Sequence, residues 1–303
     1  MGNKTITPPF LNSGDCIGIT STARKITLEE IKPAINILES WGLNVKIADS
    51  IGLSHNQFAG TDNERRIAFQ SLLDDNSVKA ILCARGGYGT SRIIDAIDFS
   101  TFTKSPKWII GFSDITVLHS HIHTNYNTQT IHAPMCHGLA EAPKEALSSF
   151  QQAIFGKQLN YSFDAHKFNR TGTSEGIIIG GNLSLLHNLI GTASDIDTAE
   201  KILFIEDLDE YLYNIDRMML SLKRSGKLNN LKGLIIGGLT DMNDNEIPFG
   251  KKAEAIISEH VSDYSYPVCF NFPAGHIKNN NTLILGANTR IETKATESRL
   301  MFI

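Results

Sequence analysis

Short apolar runs alternate with stretches of helical periodicity through the first half of the chain. After the turn Ser13-Gly14-Asp15, the run Cys16-Ile17-Gly18-Ile19-Thr20 reads as a first buried strand. Ile31, Ile35, Leu38 and Trp41 then recur at helical spacing over 28–41, and Gly42 closes that helix. Residues 43–48 alternate as a second strand. Residues 62–74 predict a helix with Ile67, Leu72 and Leu73 buried, and 78–83 a continuous apolar strand. Ile93, Ile94 and Ile97 suggest a further helix, and Trp108-Ile109-Ile110 is another apolar run. This order of strands and helices predicts a parallel sheet with helices on its faces, a layout that binds ligands at the carboxyl ends of its strands.

The texture changes after about residue 150. Residues 151–173 are polar, hold no regular pattern, and read as a connector. Beyond it, 176–182 reads as a strand, 183–190 as a helix, and 201–205 as a strand ending on Glu206-Asp207. Ile215, Met218, Met219 and Leu222 share one face of an amphipathic helix over 213–224. Apolar runs at 233–238, 268–272, 283–286 and 299–303 add strands, with a helix at 251–260. The expected fold is α/β: an N-terminal parallel-sheet, flavodoxin-like lobe (1–150), the connector (151–173), and a strand-rich α/β C-terminal lobe (174–303).

Composition narrows the class. The 303 residues carry 28 Lys and Arg against 32 Asp and Glu, a net charge of −4 without a basic stripe, which argues against nucleic acid as a partner. No run approaches the ~18 apolar residues of a membrane-spanning helix. The first fifteen residues lack the apolar core of a signal peptide, and Ile6 stands where a myristoylation signal needs Ser or Thr. Cys16, Cys83, Cys136 and Cys269 form no CxxC pair and read as buried thiols of a reducing, cytoplasmic compartment.

Candidate chemistry gathers at the strand ends. In Trp108-Ile109-Ile110-Gly111-Phe112-Ser113-Asp114-Ile115-Thr116 a strand runs through a small residue and a serine into a helix, the setting of a nucleophile elbow. Ile115 replaces the second glycine of that motif, and pattern alone favours Ser113 or Asp114 as a helix cap. A nucleophilic serine needs a base and an orienting acid. His276, in Pro273-Ala274-Gly275-His276, and Glu206 offer both in the chain order of α/β-hydrolase triads, although each taken alone is an ordinary loop or strand-end residue. Arg85-Gly86-Gly87-Tyr88-Gly89-Thr90 is neither a Walker loop nor a dinucleotide fingerprint. Its bare backbone suits an oxyanion, with donors from this loop and from Asp114. His119 and His123 would share a helix face, and His121, His132 and His137 lie near in sequence, but no HExxH pattern or third ligand is signalled and no metal is expected.

Together these residues resemble the microbial LD-carboxypeptidase family, serine peptidases that include muramoyltetrapeptide carboxypeptidases and microcin C self-immunity proteins. The likeness rests on Gly14-Asp15-Cys16-Ile17, Ala84-Arg85-Gly86-Gly87-Tyr88-Gly89, Gly111-Phe112-Ser113-Asp114-Ile115-Thr116, Gly180-Gly181-Asn182-Leu183, Ile205-Glu206-Asp207, Tyr213-Asn214-Ile215-Asp216-Arg217 and Gly275-His276. The resemblance implies Ser113 as nucleophile, His276 as base, Glu206 as its orienting acid, and an oxyanion hole from Gly86 or Gly87 and Asp114. It also implies a cofactor-free release of a C-terminal D-amino acid from a murein peptide, and a homodimer. Arg85 is a candidate for the substrate carboxylate and Tyr88 for substrate contact. Two departures, Thr20-Ser21-Thr22-Ala23 where a Pro-Ser pair is common and Ala133 where Gly is common, touch substrate contacts more than the triad. Aminoacyl-nucleotide hydrolysis is the alternative within the same chemistry, with Phe58, Tyr88 and Tyr211 as candidate stacking rings; a non-catalytic muropeptide-binding protein is the alternative outside it.

Overall fold

The computed structural model describes residues 5–303. The first four residues of the N-terminal stretch read above for a leader lie outside the described residues. The strands of the first half are β1 (Cys16–Thr20), β2 (Asn44–Ile47), β3 (Val78–Cys83), β4 (Trp108–Gly111) and β5 (Thr130–His132). Helices α1 (Leu28–Ser40), α2 (Asp62–Asp74), α3 (Ser100–Lys104) and α4 (Thr116–Tyr126) separate them, and α5 (Lys144–Ile154) follows. The second half runs β6 (Asn160–Asp164), β7 (Gly172–Asn182), α6 (Leu183–Asn188), β8 (Lys201–Leu208), α7 (Leu212–Arg224), β9 (Gly233–Thr240) and α8 (Ala253–His260). It ends with β10 (Val268–Cys269), β11 (Leu283–Leu285), β12 (Asn288–Thr293) and β13 (Glu297–Phe302).

The first sheet has the order β11-β5-β4-β3-β1-β2, parallel except for β11. Read from β2 to β5 this is the flavodoxin-like order, whose switch point lies between β1 and β3. The second sheet has the order β10-β9-β8-β7-β12-β13-β6, parallel from β10 to β7 and antiparallel beyond. Its parallel part packs on α6, α7 and α8 through Leu183, Ile205, Met219 and Ile257. One core joins the two sheets: Ile19, Ile110 and Ile131 of the first share a buried cluster with Ile178, Phe204 and Ile235 of the second.

Local chemistry explains the helix boundaries. Thr27 and Glu30 form a reciprocal capping box at the start of α1, and Thr61 with Glu64 does the same for α2. The face of α7 is the expected one, with Ile215, Met218, Met219 and Leu222 buried.

Several expectations are corrected. Ile67 is 50% exposed, because the buried face of α2 is Arg65, Ala68, Phe69, Leu72 and Leu73, and Ile67 lies about 200° round the helix from Arg65. Ile93, Ile94 and Ile97 are buried, but by the short 3-10 turns Thr90–Arg92 and Ile94–Ala96 instead of an α-helix. The strand expected at 268–272 pairs regularly only at Val268–Cys269, since Asn271 takes a left-handed backbone (φ +66°) and turns the chain. Residues 283–286 do not complete the second lobe: β11 pairs with β5 of the first sheet. The stretch 151–173 carries the last turns of α5 and all of β6, an edge strand with no buried face to mark it in sequence.

The phase of α2 is open to a stability test. Phe69→Ala should cost about 3–5 kcal/mol in urea unfolding, whereas Ile67→Ser should stay within about 0.5 kcal/mol of the parent protein. Comparable losses from both would contradict the observed face.

Candidate active site

Ser113 follows β4 at the carboxyl edge of the first sheet and has φ +63°, a left-handed backbone that a non-glycine residue adopts at a cost of about 1–3 kcal/mol. The turn lifts its side chain away from the helix it precedes. Neither Ser113 nor Asp114 caps α4, and the turn Ser113–Ile115 has no side-chain cap at all. Ile115, in place of the elbow's second glycine, is buried and packs over Gly111.

The hydroxyl of Ser113 lies 3.0 Å from His276 Nε2, and His276 Nδ1 lies 2.7 Å from Glu206 Oε2. The same carboxylate oxygen accepts the backbone N–H of His276 at 3.1 Å. An ionised carboxylate only accepts, so Nδ1 carries the proton and Nε2 faces Ser113 with its lone pair. The β8–β9 register shifts between Ile205 and Asp207, a bulge that falls on Glu206 and aims its side chain out of the regular ladder. Glu206 is fully buried, and a Cβ on Gly275 would sit 2.6 Å from its Oε2, so only glycine allows the carboxylate this close to the His276 turn. Burial by itself would lower the pKa of His276, but the hydrogen bond and charge of Glu206, with the charge of Asp207, outweigh it and leave the value raised.

The glycine turn closes over the serine. A Cβ on Gly86 would lie 2.9 Å from Ser113 Cβ, so this position must stay bare for the backbone to approach Ser113. Three bonds hold the turn. Asp114, fully buried, accepts the N–H of Thr90 at 2.8 Å, Thr22 and Thr90 hydroxyls meet at 2.8 Å, and Arg65 Nη1 donates to the carbonyl of Gly89 at 3.0 Å. Arg65 also reaches the carbonyl of Thr22 and the carboxylate of Asp62. Sequence reasoning missed Arg65, although the signal was there: an arginine in register with Phe69 and Leu72 on the apolar face of α2. It also missed Asn280, whose Oδ1 accepts the N–H of Gly275 at 2.8 Å and meets His132 Nε2 at 3.3 Å, fixing the turn that carries His276.

The remaining candidates separate. Arg85 lies 3.8 Å from Glu30, and Tyr88 is half exposed with its ring 6.0 Å from that of Phe58. Tyr211 pairs with Tyr213 at 5.7 Å beside α7. His119 bonds the carbonyl of Gly111 at 2.9 Å, His121 bonds Ser194 Oγ at 2.9 Å, and His137 is exposed. Among the described residues no group of three or more His, Cys, Asp or Glu side chains is placed to hold a metal. The four cysteines are free, three of them buried, and burial raises the pKa of each. Among the described residues no helix is long and apolar enough to cross a membrane.

Comparison with known proteins matches the sequence profile of the LD-carboxypeptidase N-terminal domain to residues 17–133 and that of the C-terminal domain to residues 175–291. A probable murein peptide carboxypeptidase of Bacillus subtilis is 35% identical over 291 residues, covering 94% of this chain and 91% of the relative. The chain belongs to the LD-carboxypeptidase family. As expected from its sequence, it is a serine carboxypeptidase. The murein tetrapeptide carboxypeptidase of Pseudomonas aeruginosa is 27% identical over 288 residues, covering 91% of this chain and 92% of the relative. The crystal structure of muramoyltetrapeptide carboxypeptidase from Oxalobacter formigenes superposes with a TM-score of 0.86 at 28% identity, covering 95% of this chain and 98% of that one. The microcin C7 self-immunity protein MccF in complex with aspartyl sulfamoyl adenosine shares the fold, with a TM-score of 0.87 at 22% identity, covering 99% of this chain and 98% of that one.

In this LD-carboxypeptidase burial keeps several histidines of α4 and β5 neutral: His119 is pushed down to about 3, and His123 and His132 to about 4. The unfolded chain binds their protons near the ordinary value of 6.5, so stability present above that pH is lost as pH falls towards the folded values. His132→Gln, which keeps a donor for Asn280, should flatten the acid loss of unfolding free energy by about 1.4 kcal/mol per pH unit between about pH 6 and pH 4.5. Urea titrations at stepped pH read the slope, and an unchanged slope would contradict a neutral buried His132.

Proposed function

We propose that Ser113, His276 and Glu206 form the catalytic triad and hydrolyse the amide between the L-centre of a diamino acid and a C-terminal D-amino acid, releasing D-alanine from a murein tetrapeptide. The observation that carries this reading is the continuous relay from Ser113 through His276 to a buried carboxylate, in a chain of the LD-carboxypeptidase family.

His276 takes the Ser113 proton as the hydroxyl attacks the carbonyl carbon. The backbone N–H groups of Gly86 or Gly87 and of Asp114 receive the developing oxyanion, which the close approach of Gly86 to Ser113 supports. The imidazolium formed is held by Glu206 and then protonates the leaving amine, which departs as the free D-amino acid. Water, deprotonated by the same histidine, attacks the acyl-serine and restores the enzyme. No cofactor takes part in these steps. We place the reaction in the cytoplasm, on wall peptides under recycling, a setting with which four unpaired thiols agree. The homodimer belongs to the same reading and is read out by light scattering. The rings of Phe58 and Tyr88 beside the glycine turn favour keeping an aminoacyl-nucleotide as a second substrate, since a base can stack on the exposed face of Tyr88.

Ser113→Ala should lower D-alanine release from a murein tetrapeptide about 10,000-fold or more and abolish labelling by a serine-directed acylating probe. Unchanged turnover would sink the mechanism. Comparing kcat/KM for the tetrapeptide with that for an aminoacyl sulfamoyl adenylate separates the two substrates.

The base works only when neutral, so activity should rise with pH through the His276 pKa. Because that value is raised, the acid limb of kcat/KM should have its midpoint above 6.5. Glu206→Gln should move the midpoint down and cut kcat. A midpoint that stays put in that variant would remove Glu206 from the relay.

A further inference from the structure

A peptide cut one residue from its C-terminus presents a free carboxylate close to the scissile bond. Standard bond lengths put its carbon within about 4 Å of the scissile carbonyl carbon. A cation that reads this group must therefore stand beside Ser113 and the glycine turn, with its charge not already neutralised.

Four arginines surround that turn. Arg65 is buried against Asp62 and the carbonyls of Thr22 and Gly89, Arg92 pairs with Asp62, and Arg85 faces Glu30. Arg24 differs. It is exposed, and among the described residues its guanidinium has no carboxylate or hydrogen-bond partner. Its backbone is fixed, since its N–H donates to the carbonyl of Gly86 at 3.3 Å and it bridges to Phe58. Its stem lies along the turn: a Cβ on Gly87 would be 3.1 Å from Arg24 Cβ and 3.4 Å from its Cδ. Gly86, next in the chain, abuts Ser113. Arg24 also sits on the loop after β1, and the glycine turn follows β3, so the two flank the switch point of the sheet, where ligands of this topology bind.

We propose that Arg24 is the specificity-determining cation that binds the free C-terminal carboxylate of the substrate. The proposal rests on the hydrolytic reading above and replaces Arg85 in this role, because Arg85 is already opposed by Glu30. Planar guanidinium matches carboxylate through two parallel N–H bonds, and an exposed arginine next to bare backbone donors gives the site both charge and direction.

The test compares a murein tetrapeptide acid with its C-terminal amide, both as substrates of the parent enzyme and, by calorimetry, as ligands of the Ser113→Ala protein. The acid should be preferred about 10- to 100-fold. Arg24→Gln should collapse that preference to within about threefold, and Arg24→Lys should restore part of it. A merely structural role would weaken acid and amide alike and leave their ratio intact, which overturns the proposal. Collapse in Arg85→Gln but not in Arg24→Gln overturns it as well. Should the parent enzyme cleave neither peptide while the calorimetric preference still depends on Arg24, the hydrolytic reading fails and the carboxylate site stands. Absence of binding by both peptides overturns both.

Discussion

The hydrogen bond between Ser113 and His276 joins residues 163 positions apart and spans the two sheets, and much of the architecture serves to keep it at 3.0 Å. Ser113 belongs to the first sheet and Glu206 to the second, while His276 sits on the segment that passes from β10 to β11. Because β10 lies in the second sheet and β11 pairs with β5 in the first, His276 is anchored at both ends to different sheets. A second tie lies beside Ser113, where Thr116 Oγ1 at the start of α4 accepts the N–H of Asn182 at 2.9 Å. The shared core then makes the two sheets one packed body, so the Ser113–His276–Glu206 geometry is a property of the whole chain and not of either half.

Within that frame, two adjacent carboxylates have opposite tasks. Around the bulge at Glu206, that side chain turns to His276 while Asp207 turns to the β7–α6 junction. There Asp207 accepts from Asn182 Nδ2, from the N–H and hydroxyl of Ser184, and from the N–H of Leu208. Burial, against these bonds and with the charge of Glu206 adding to it, pushes Asp207 up to about 6. Glu206 has no such company: its second oxygen is buried without a partner among the described residues, and His276 is its one hydrogen-bonding neighbour. A buried carboxylate so poorly solvated gains most when the imidazole beside it becomes charged, as the proposed proton transfer from Ser113 would make it.

Much of this was legible in the chain because the relevant signals are local. The runs at 78–83 and 108–110 could be nothing but buried strands once glycine turns followed them, and the helical face of α7 needed only its own spacing. Features that depend on distant partners were hidden. The three residues of β11 look alike whether they join one sheet or the other, and β6 has no buried face to betray it. Ile67 misled because an apolar residue was counted and the phase of the helix was not; the arginine two positions earlier was the better guide. For Ser113, pattern alone favoured a helix cap, and the family likeness reversed that. Its left-handed backbone (φ +63°) is the physical reason it cannot cap, since a cap residue takes an extended backbone.

The bonds that set the chemistry are buried, and those open to a substrate are not. Asp114 on Thr90, Arg65 on Gly89 and Asn280 on Gly275 fix the glycine turn and the His276 turn from behind, so the glycine backbone is held in place by the fold itself. The side chains that project past this frame, Arg24 and Tyr88, are exposed and make no buried bond. Exchanging them leaves the frame standing, since neither supports the core. In the proposed reading, substrate choice rests on the two loops that flank the switch point of the first sheet, after β1 and after β3, while the bonds behind them stay fixed.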